Sequence, residues 1–219
     1  MDAGFIYPHG FASSPDSQKA AVFRREFARR NVPLTVPDLE GGNFENLTLS
    51  RQIDIALRCI DSRPNRQFGL IGSGMGGYLA AILAELREKV AAIYLMAPGF
   101  NFMGRWRERL QKEFPGKNAI PPFIKVFHYG RNQEVRLNAF IFKDARKWDK
   151  LVLSRKLPTR VIHGSRDETV DIRESRKFVK DAPWRVLVEL DSDRGLLDRA
   201  DWIARDCLDF FRNVNLLRL

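Results

Sequence analysis

The chain has 219 residues, of which 44% are hydrophobic and 29% are charged. This composition is typical of a globular protein and excludes a disordered chain, and the length predicts a single domain over 1–219. No apolar run approaches the roughly 20 residues of a membrane span, and the first residues lack the pattern of a secretion signal. We therefore expect a cytoplasmic protein in which Cys59 and Cys207 are reduced.

The formal net charge of +10 lies almost entirely in one middle segment. Residues 101–158 contain 14 Lys and Arg against 5 Asp and Glu, a net of +9, which leaves 23 basic and 22 acidic residues elsewhere. Such an imbalance informs about partners rather than about fold. An acidic protein or larger complex is the partner that we expect. Peripheral membrane contact is an alternative, and nucleic acid is a weaker one because the segment has no recognised nucleic-acid motif.

Strands and helices are predicted to alternate along most of the chain. Strands are expected at 5–7, 33–36, 68–71, 90–96, 159–163 and 184–190, and helices at 14–30, 49–60, 75–86, 172–179 and 197–214. The first helix is predicted to begin at Ser14 as its N-cap, with Pro15 at the first helical position. This alternation indicates an α/β fold whose mostly parallel sheet is flanked by helices.

The basic segment interrupts that alternation at about 100–158. Helices are predicted near 105–114 and 137–153, and a short strand near 124–129. Because the segment follows a strand of the predicted sheet, we expect it to form a basic helical cap over the strand ends, where such folds place their sites.

A strand, a tight turn and a helix meet around Gly74. Gly72 and Gly76 lie where the nucleophile elbow Gly-x-Ser-x-Gly has its glycines, and Gly74 lies where that motif has its serine. Glycine has no side chain, so the turn is predicted to keep the geometry of an elbow without its nucleophile. Glycine also adopts such a turn with little strain.

Seven stretches, in order along the chain, resemble one family. They are residues 7–15, 37–39, 47–53, 71–80, 96–98, 161–170 and 191–198. Together they resemble the α/β-hydrolase superfamily and, more narrowly, the small YqiA-type serine esterases. The resemblance implies an α/β-hydrolase fold and a serine, aspartate and histidine triad in that order along the chain.

The resemblance places the triad acid at Asp167, which is present, and the histidine base at a position that Arg194 occupies. A guanidinium stays protonated and cannot act as a general base. The implied oxyanion hole is formed by the backbone N–H groups of Phe11 and Met75. Two of the three triad positions, Gly74 and Arg194, have therefore lost their chemistry, and we predict an ion pair between Asp167 and Arg194.

Structural roles are expected for most of the other potentially reactive side chains. Ser73 is one residue early for the elbow nucleophile. His9 is expected to brace the oxyanion loop and His163 the loop before Asp167, and His128 in the cap is a remote candidate for a migrated base. The histidines and cysteines show no metal-ligand spacing, so neither a metal nor another cofactor is expected.

These observations favour a catalytically inactive hydrolase homologue that binds a protein partner or scaffolds a complex through a basic surface. A weak or rerouted carboxylesterase or thioesterase and a sensor that binds an acyl ligand are the alternatives. Aromatic side chains interleaved with basic ones are enriched at protein interfaces. On this ground the candidate partner-binding residues are Arg105, Trp106, Arg107, Arg146, Lys147 and Trp148.

Overall fold

A parallel sheet forms the centre of the computed structural model, which describes residues 3–115 and 120–217. The strands in this part of the chain are β1 Gly4–Ile6, β2 Leu34–Thr35, β3 Phe68–Ser73, β4 Val90–Met96, β5 Phe123–His128, β6 Gln133–Asn138, β7 Thr159–Gly164 and β8 Arg185–Leu190. Six of them pair in parallel in the order β2-β1-β3-β4-β7-β8. The predicted fold class, a mostly parallel sheet flanked by helices, is confirmed.

Helices cover both faces of this sheet. They are α1 Gln18–Ala28, α2 Leu49–Asp61, α3 Met75–Leu86, α4 Phe102–Glu113, α5 Phe140–Asp149, α6 Ile172–Val179 and α7 Ala200–Asn213. Leu70 of β3 is buried in the core with α2 and α3, whereas the next residue, Ile71, is buried with α1 and α7. Side chains of a strand alternate between faces, so one apolar run supplies both layers. Within the described residues no helix is long and apolar enough to cross a bilayer.

The first helix begins three residues later than the sequence predicts. Ser17, not Ser14, is the N-cap of α1, and its hydroxyl accepts a hydrogen bond from the Ala20 N–H. Ser14 instead accepts from the Asp16 N–H in the preceding turn. Two oxygen-bearing side chains three residues apart can both cap a helix, and the tertiary position of the loop decides between them.

The cap, the segment between β4 and β7, combines two helices with a hairpin. Between α4 and α5, strands β5 and β6 pair antiparallel. The sequence predicts only the first of these strands and extends the following helix back to residue 137, which is wrong because Gln133–Asn138 is strand and α5 starts at Phe140. β6 faces solvent over most of its length, so few apolar residues mark it.

Hydrogen bonds from α5 fasten the cap to the core. The Asp144 carboxylate accepts from the backbone N–H and the hydroxyl of Ser50 at the start of α2, and the Trp148 indole donates to the same hydroxyl. Asp149 accepts from the Tyr78 hydroxyl at 2.7 Å and from the Met103 N–H at 2.8 Å. The cap therefore has a fixed position over the carboxyl ends of the strands.

Candidate functional site

The turn between β3 and α3 has the geometry of an elbow. Gly74 has φ 57° and ψ −121°, a conformation that costs a residue with a side chain of the order of 1–3 kcal/mol. A Cβ on Gly72 would lie 2.3 Å from the Gly76 carbonyl oxygen, and one on Gly76 would lie 2.0 Å from the Pro8 carbonyl oxygen. A Cβ on Gly74 would meet only the Gly10 Cα, at 3.9 Å. The elbow thus has room for a side chain at residue 74.

Two backbone N–H groups beside this turn, those of Phe11 and Met75, are the ones that the family resemblance implies for an oxyanion hole. No acceptor among the residues described receives the N–H of Phe11 or of Met75. His9 braces the first of these loops, because its Nδ1 donates to the Gly10 carbonyl and its Nε2 accepts from the Leu39 N–H. Free N–H groups of this kind can bind a carboxylate or a carbonyl oxygen.

Asp167 lies in the loop after β7 with a buried carboxylate. Its Oδ1 accepts from the Thr169 N–H at 2.8 Å and the Val170 N–H at 2.9 Å. Its Oδ2 is 3.4 Å from His163 Nε2, but that nitrogen donates to the Val170 carbonyl, so Oδ2 has no hydrogen-bond partner among the described residues. Burial raises the pKa of Asp167, yet His163 and the two N–H donors hold it below its ordinary value.

Arg194 does not form the predicted ion pair with Asp167. Its guanidinium donates to the Thr169 hydroxyl at 3.2 Å and lies 5.0 Å above the ring of Tyr129 in the cap. The backbone of its loop keeps a tight turn, since Asp193 Oδ1 accepts from the N–H groups of Gly195 and Leu196. The long side chain of Arg194 extends to Tyr129 in the cap instead of contacting Asp167. Asp167 Oδ2 is therefore left without a hydrogen-bond partner among the described residues.

A lysine from α1 contacts the strand that leads to the elbow. Lys19 Nζ donates to Ser73 Oγ at 3.0 Å, and Tyr7 also shares a hydrogen bond with this serine. Burial, and to a lesser extent Arg194, lower the pKa of Lys19 to about 8, against the opposing effect of Asp167 and Asp193. Ser73 and Lys19 are thus a hydroxyl and an amine in direct contact beside Gly74.

His128, at the end of the cap strand β5, is held in a buried cluster of charged residues. Its Nε2 donates to the Glu40 carboxylate and its Nδ1 accepts from the Arg131 N–H. The Arg131 guanidinium contacts the other Glu40 oxygen at 2.6 Å. Both ring nitrogens of His128 are therefore occupied by structural contacts.

The six candidate partner-binding residues differ in their exposure to solvent. Trp106 is only 7% exposed and packs against Phe11 and Phe142, so it belongs to the core rather than to a surface. Arg105 donates to the Gly99 and Phe100 carbonyls beside the elbow. Trp148 is half-buried against Ser50, as described above. The exposed members of the set are Arg107, Arg146 and Lys147.

A charged groove of about 720 Å³ runs between α4 and the Asp167 loop. Its lining includes Arg105, Arg109 and Lys112 from the cap and Asp167 and Asp171 from the loop. Burial lowers the pKa of Arg105, while Asp167 and two other acidic residues raise it. The groove is open to solvent and mixed in charge, unlike the mostly apolar pockets that enclose small ligands.

Comparison with known proteins places this geometry in a family. Residues 4–211 match the profile of the uncharacterised protein family UPF0227. The chain belongs to this family. No curated protein matches the sequence.

Solved structures similar to this UPF0227 chain have the α/β-hydrolase fold. Est1E from Butyrivibrio proteoclasticus is 16% identical with a TM-score of 0.76, over 99% of this chain and 90% of its own. Mouse alpha/beta hydrolase domain-containing protein 10 is 21% identical with a TM-score of 0.77, over 98% and 90%. An esterase domain from Rhodothermus marinus is 17% identical with a TM-score of 0.71, over 96% and 87%. These similarities confirm the predicted fold.

The sequence did not single out Lys19 or Tyr129. Lys19 is a basic residue on a predicted amphipathic helix, and no pattern in the sequence shows that it reaches Ser73. Tyr129 lies at the end of the predicted cap strand, where an aromatic residue is ordinary. Long-range contacts of flexible side chains leave no periodic signal, so only the structure reveals them.

Proposed function

We propose that this UPF0227 protein is a catalytically inactive α/β-hydrolase homologue that acts as a protein-binding or scaffolding subunit through its basic cap. The observation that carries the proposal is that Asp167 Oδ2 has no hydrogen-bond partner among the described residues, because the nearby His163 Nε2 donates to the Val170 carbonyl instead. Arg194 is turned to Tyr129, and Gly74 offers no nucleophile. Loss of the nucleophile or the base costs a triad hydrolase about 10⁶ in turnover. What persists is a hydrolase backbone beneath a charged cap.

A reversion series tests the loss of catalysis. The parent, Gly74→Ser, Arg194→His and the double variant would be assayed with p-nitrophenyl butyrate and labelled with a fluorophosphonate. We expect neither turnover nor labelling of the parent, and a gain of about 10²-fold or more in the double variant, because the Cβ site at residue 74 is open. Turnover by the parent at rates typical of esterases would contradict the proposal.

The scaffolding role needs a separate measurement. The tagged protein would be purified from its native source at low and high salt and its mass in solution determined. We expect a complex of defined mass that dissociates as salt rises, since the cap segment carries a net charge of +9. A monomer in every preparation would contradict the scaffolding role even if the protein lacks catalysis.

The contact between Lys19 and Ser73 supports a second candidate function, a rerouted esterase. An amine with a pKa of about 8, 3.0 Å from a hydroxyl, can take its proton as it attacks an acyl carbon. Any esterase activity of the parent would then disappear in Ser73→Ala and persist in the control Ser165→Ala. Activity that survives Ser73→Ala would rule out this route.

A further inference from the structure

Exposed apolar side chains concentrate on the cap. Of the nine large hydrophobic side chains exposed within the described residues, five lie between residues 120 and 140. Single exposed hydrophobic residues are ordinary, whereas a cluster of them marks an interaction site. The five are Ile120, Phe123, Phe127, Tyr129 and Phe140.

The hairpin presents three of these rings on its solvent side. Along β5 burial alternates strictly, so that Ile124, Val126 and His128 face the core while the residues between them face outward. Phe127 is 44% exposed and Tyr129 57% exposed. We call this surface the hairpin outer face, formed by Phe123, Lys125, Phe127, Tyr129 and Arg136.

The charges on the hairpin outer face are poorly compensated. Lys125 lies directly opposite Arg136 in the register of the two strands, and like charges so placed destabilise a sheet. The nearest carboxylates to these two side chains, on Glu134 and Glu45, are each 3.8 Å away. Exposed pairs at that distance contribute little. Additional carboxylates from outside the chain would therefore bind favourably here.

Guanidinium groups already lie over two of the three aromatic rings. The Arg136 guanidinium lies 4.2 Å above the Phe123 ring, and that of Arg194 lies 5.0 Å above Tyr129. Ring faces covered in this way are less available to stack nucleic-acid bases. Stacking also orders the guanidinium forks, which match carboxylates in geometry. The arrangement favours an acidic polypeptide over RNA.

We propose that the hairpin outer face binds an acidic segment of a partner protein, whose carboxylates pair with Lys125 and Arg136 and whose apolar side chains cover Phe127 and Tyr129. The proposal rests on the proposed protein-binding function and replaces the half-buried Arg105 and the buried Trp106 with an exposed surface. It requires no catalytic residue.

Fluorescence anisotropy with a defined probe tests this surface. The probe is a labelled 16-residue peptide of alternating Glu and Leu, titrated with the full-length protein at low and moderate salt. We expect binding that Lys125→Glu/Arg136→Glu weakens by about tenfold or more. The matched control Arg58→Glu/Arg63→Glu changes the same charge on exposed residues at the end of α2, and it should alter binding by less than about threefold.

A second variant and two other probes complete the design. Phe127→Ala/Tyr129→Ala keeps the charge and should also weaken binding, with circular dichroism confirming the fold. Equal loss in both charge-reversal variants, or tighter binding to a 16-nucleotide RNA or to vesicles of phosphatidylserine and phosphatidylcholine, would overturn the proposal. Ester hydrolysis by the parent would overturn only the proposed loss of catalysis, because the peptide measurement does not depend on it.

Discussion

The elbow and the cap hairpin lie at the same end of the sheet, but the elbow is distinguished by its backbone geometry and the hairpin by its exposed side chains. At the elbow the strand, turn and helix are formed, with Gly74 at φ 57° and unbonded N–H groups beside it, and residue 74 has no side chain. In the hairpin the backbone is an ordinary pair of strands, and the exposed side chains carry the unusual chemistry. Backbone geometry and side-chain chemistry are therefore separable features of this end of the sheet.

The largest expected effect compares two glycines of the elbow. Gly76→Ala places a Cβ 2.0 Å from the Pro8 carbonyl oxygen, so we expect it to lower the free energy of unfolding by more than about 4 kcal/mol. Gly74→Ala has space and should cost only the strain of its positive φ, about 1–3 kcal/mol. Urea unfolding followed by tryptophan fluorescence measures both. Equal losses would show that the elbow tolerates no side chain at either position.

A smaller effect concerns the amine beside the elbow. Lys19 has a pKa of about 8 in the folded protein against 10.5 ordinarily, so the unfolded chain binds more protons between these values. The charged Lys19 amine therefore lowers the free energy of unfolding by its full amount below pH 8. This destabilisation decreases as the pH rises towards 10.5. Lys19→Met should therefore raise the free energy of unfolding by about 1–2 kcal/mol at pH 7. Loss of the hydrogen bond to Ser73 reduces this gain.

Thermal unfolding from pH 7 to 10.5 checks this prediction. The exposed Lys180→Met is the matched control and should show no comparable dependence on pH. A constant stability difference between Lys19→Met and the parent across this range would mean that the amine is solvated as in the unfolded chain.

The smallest expected effect joins the two regions. Arg194, in the loop after β8, lies over Tyr129 of the hairpin. A double-mutant cycle with Arg194→Ala and Tyr129→Ala should give a coupling free energy of about 0.5–1 kcal/mol. Strict additivity would show that the elbow side of the site and the cap are energetically independent.

Much of the fold could be predicted because burial imposes patterns on the sequence. The apolar run of β4 and the helical apolar pattern over 49–60 of α2 are local signals, and the structure follows both. β6 was missed because its outward residues are polar and its apolar residues are few, so it resembles the start of the next helix. A strand with one solvent-exposed face has few apolar residues, so its alternating pattern is hard to recognise when the helix that follows it is also rich in charged residues.

The site was only partly predictable for a different reason. The turn at Gly74 follows from a backbone motif, whereas the family resemblance alone singled out Asp167. Where a long side chain points depends on partners distant in sequence, as with Arg194 and Lys19. Trp106, set between two arginines, has the composition of an interface but is buried among other rings. Composition alone does not distinguish an interface from a core.

The position of the cap within the chain has a kinetic consequence. β4 and β7 are neighbours in the sheet, although the entire cap separates them in sequence. Their pairing must close that long loop, and the entropy cost is repaid only as Ile124, Val126 and Leu137 of the hairpin join the core. We therefore expect β7 and β8 to be added late during folding, at a rate that depends on how early the cap forms its own contacts.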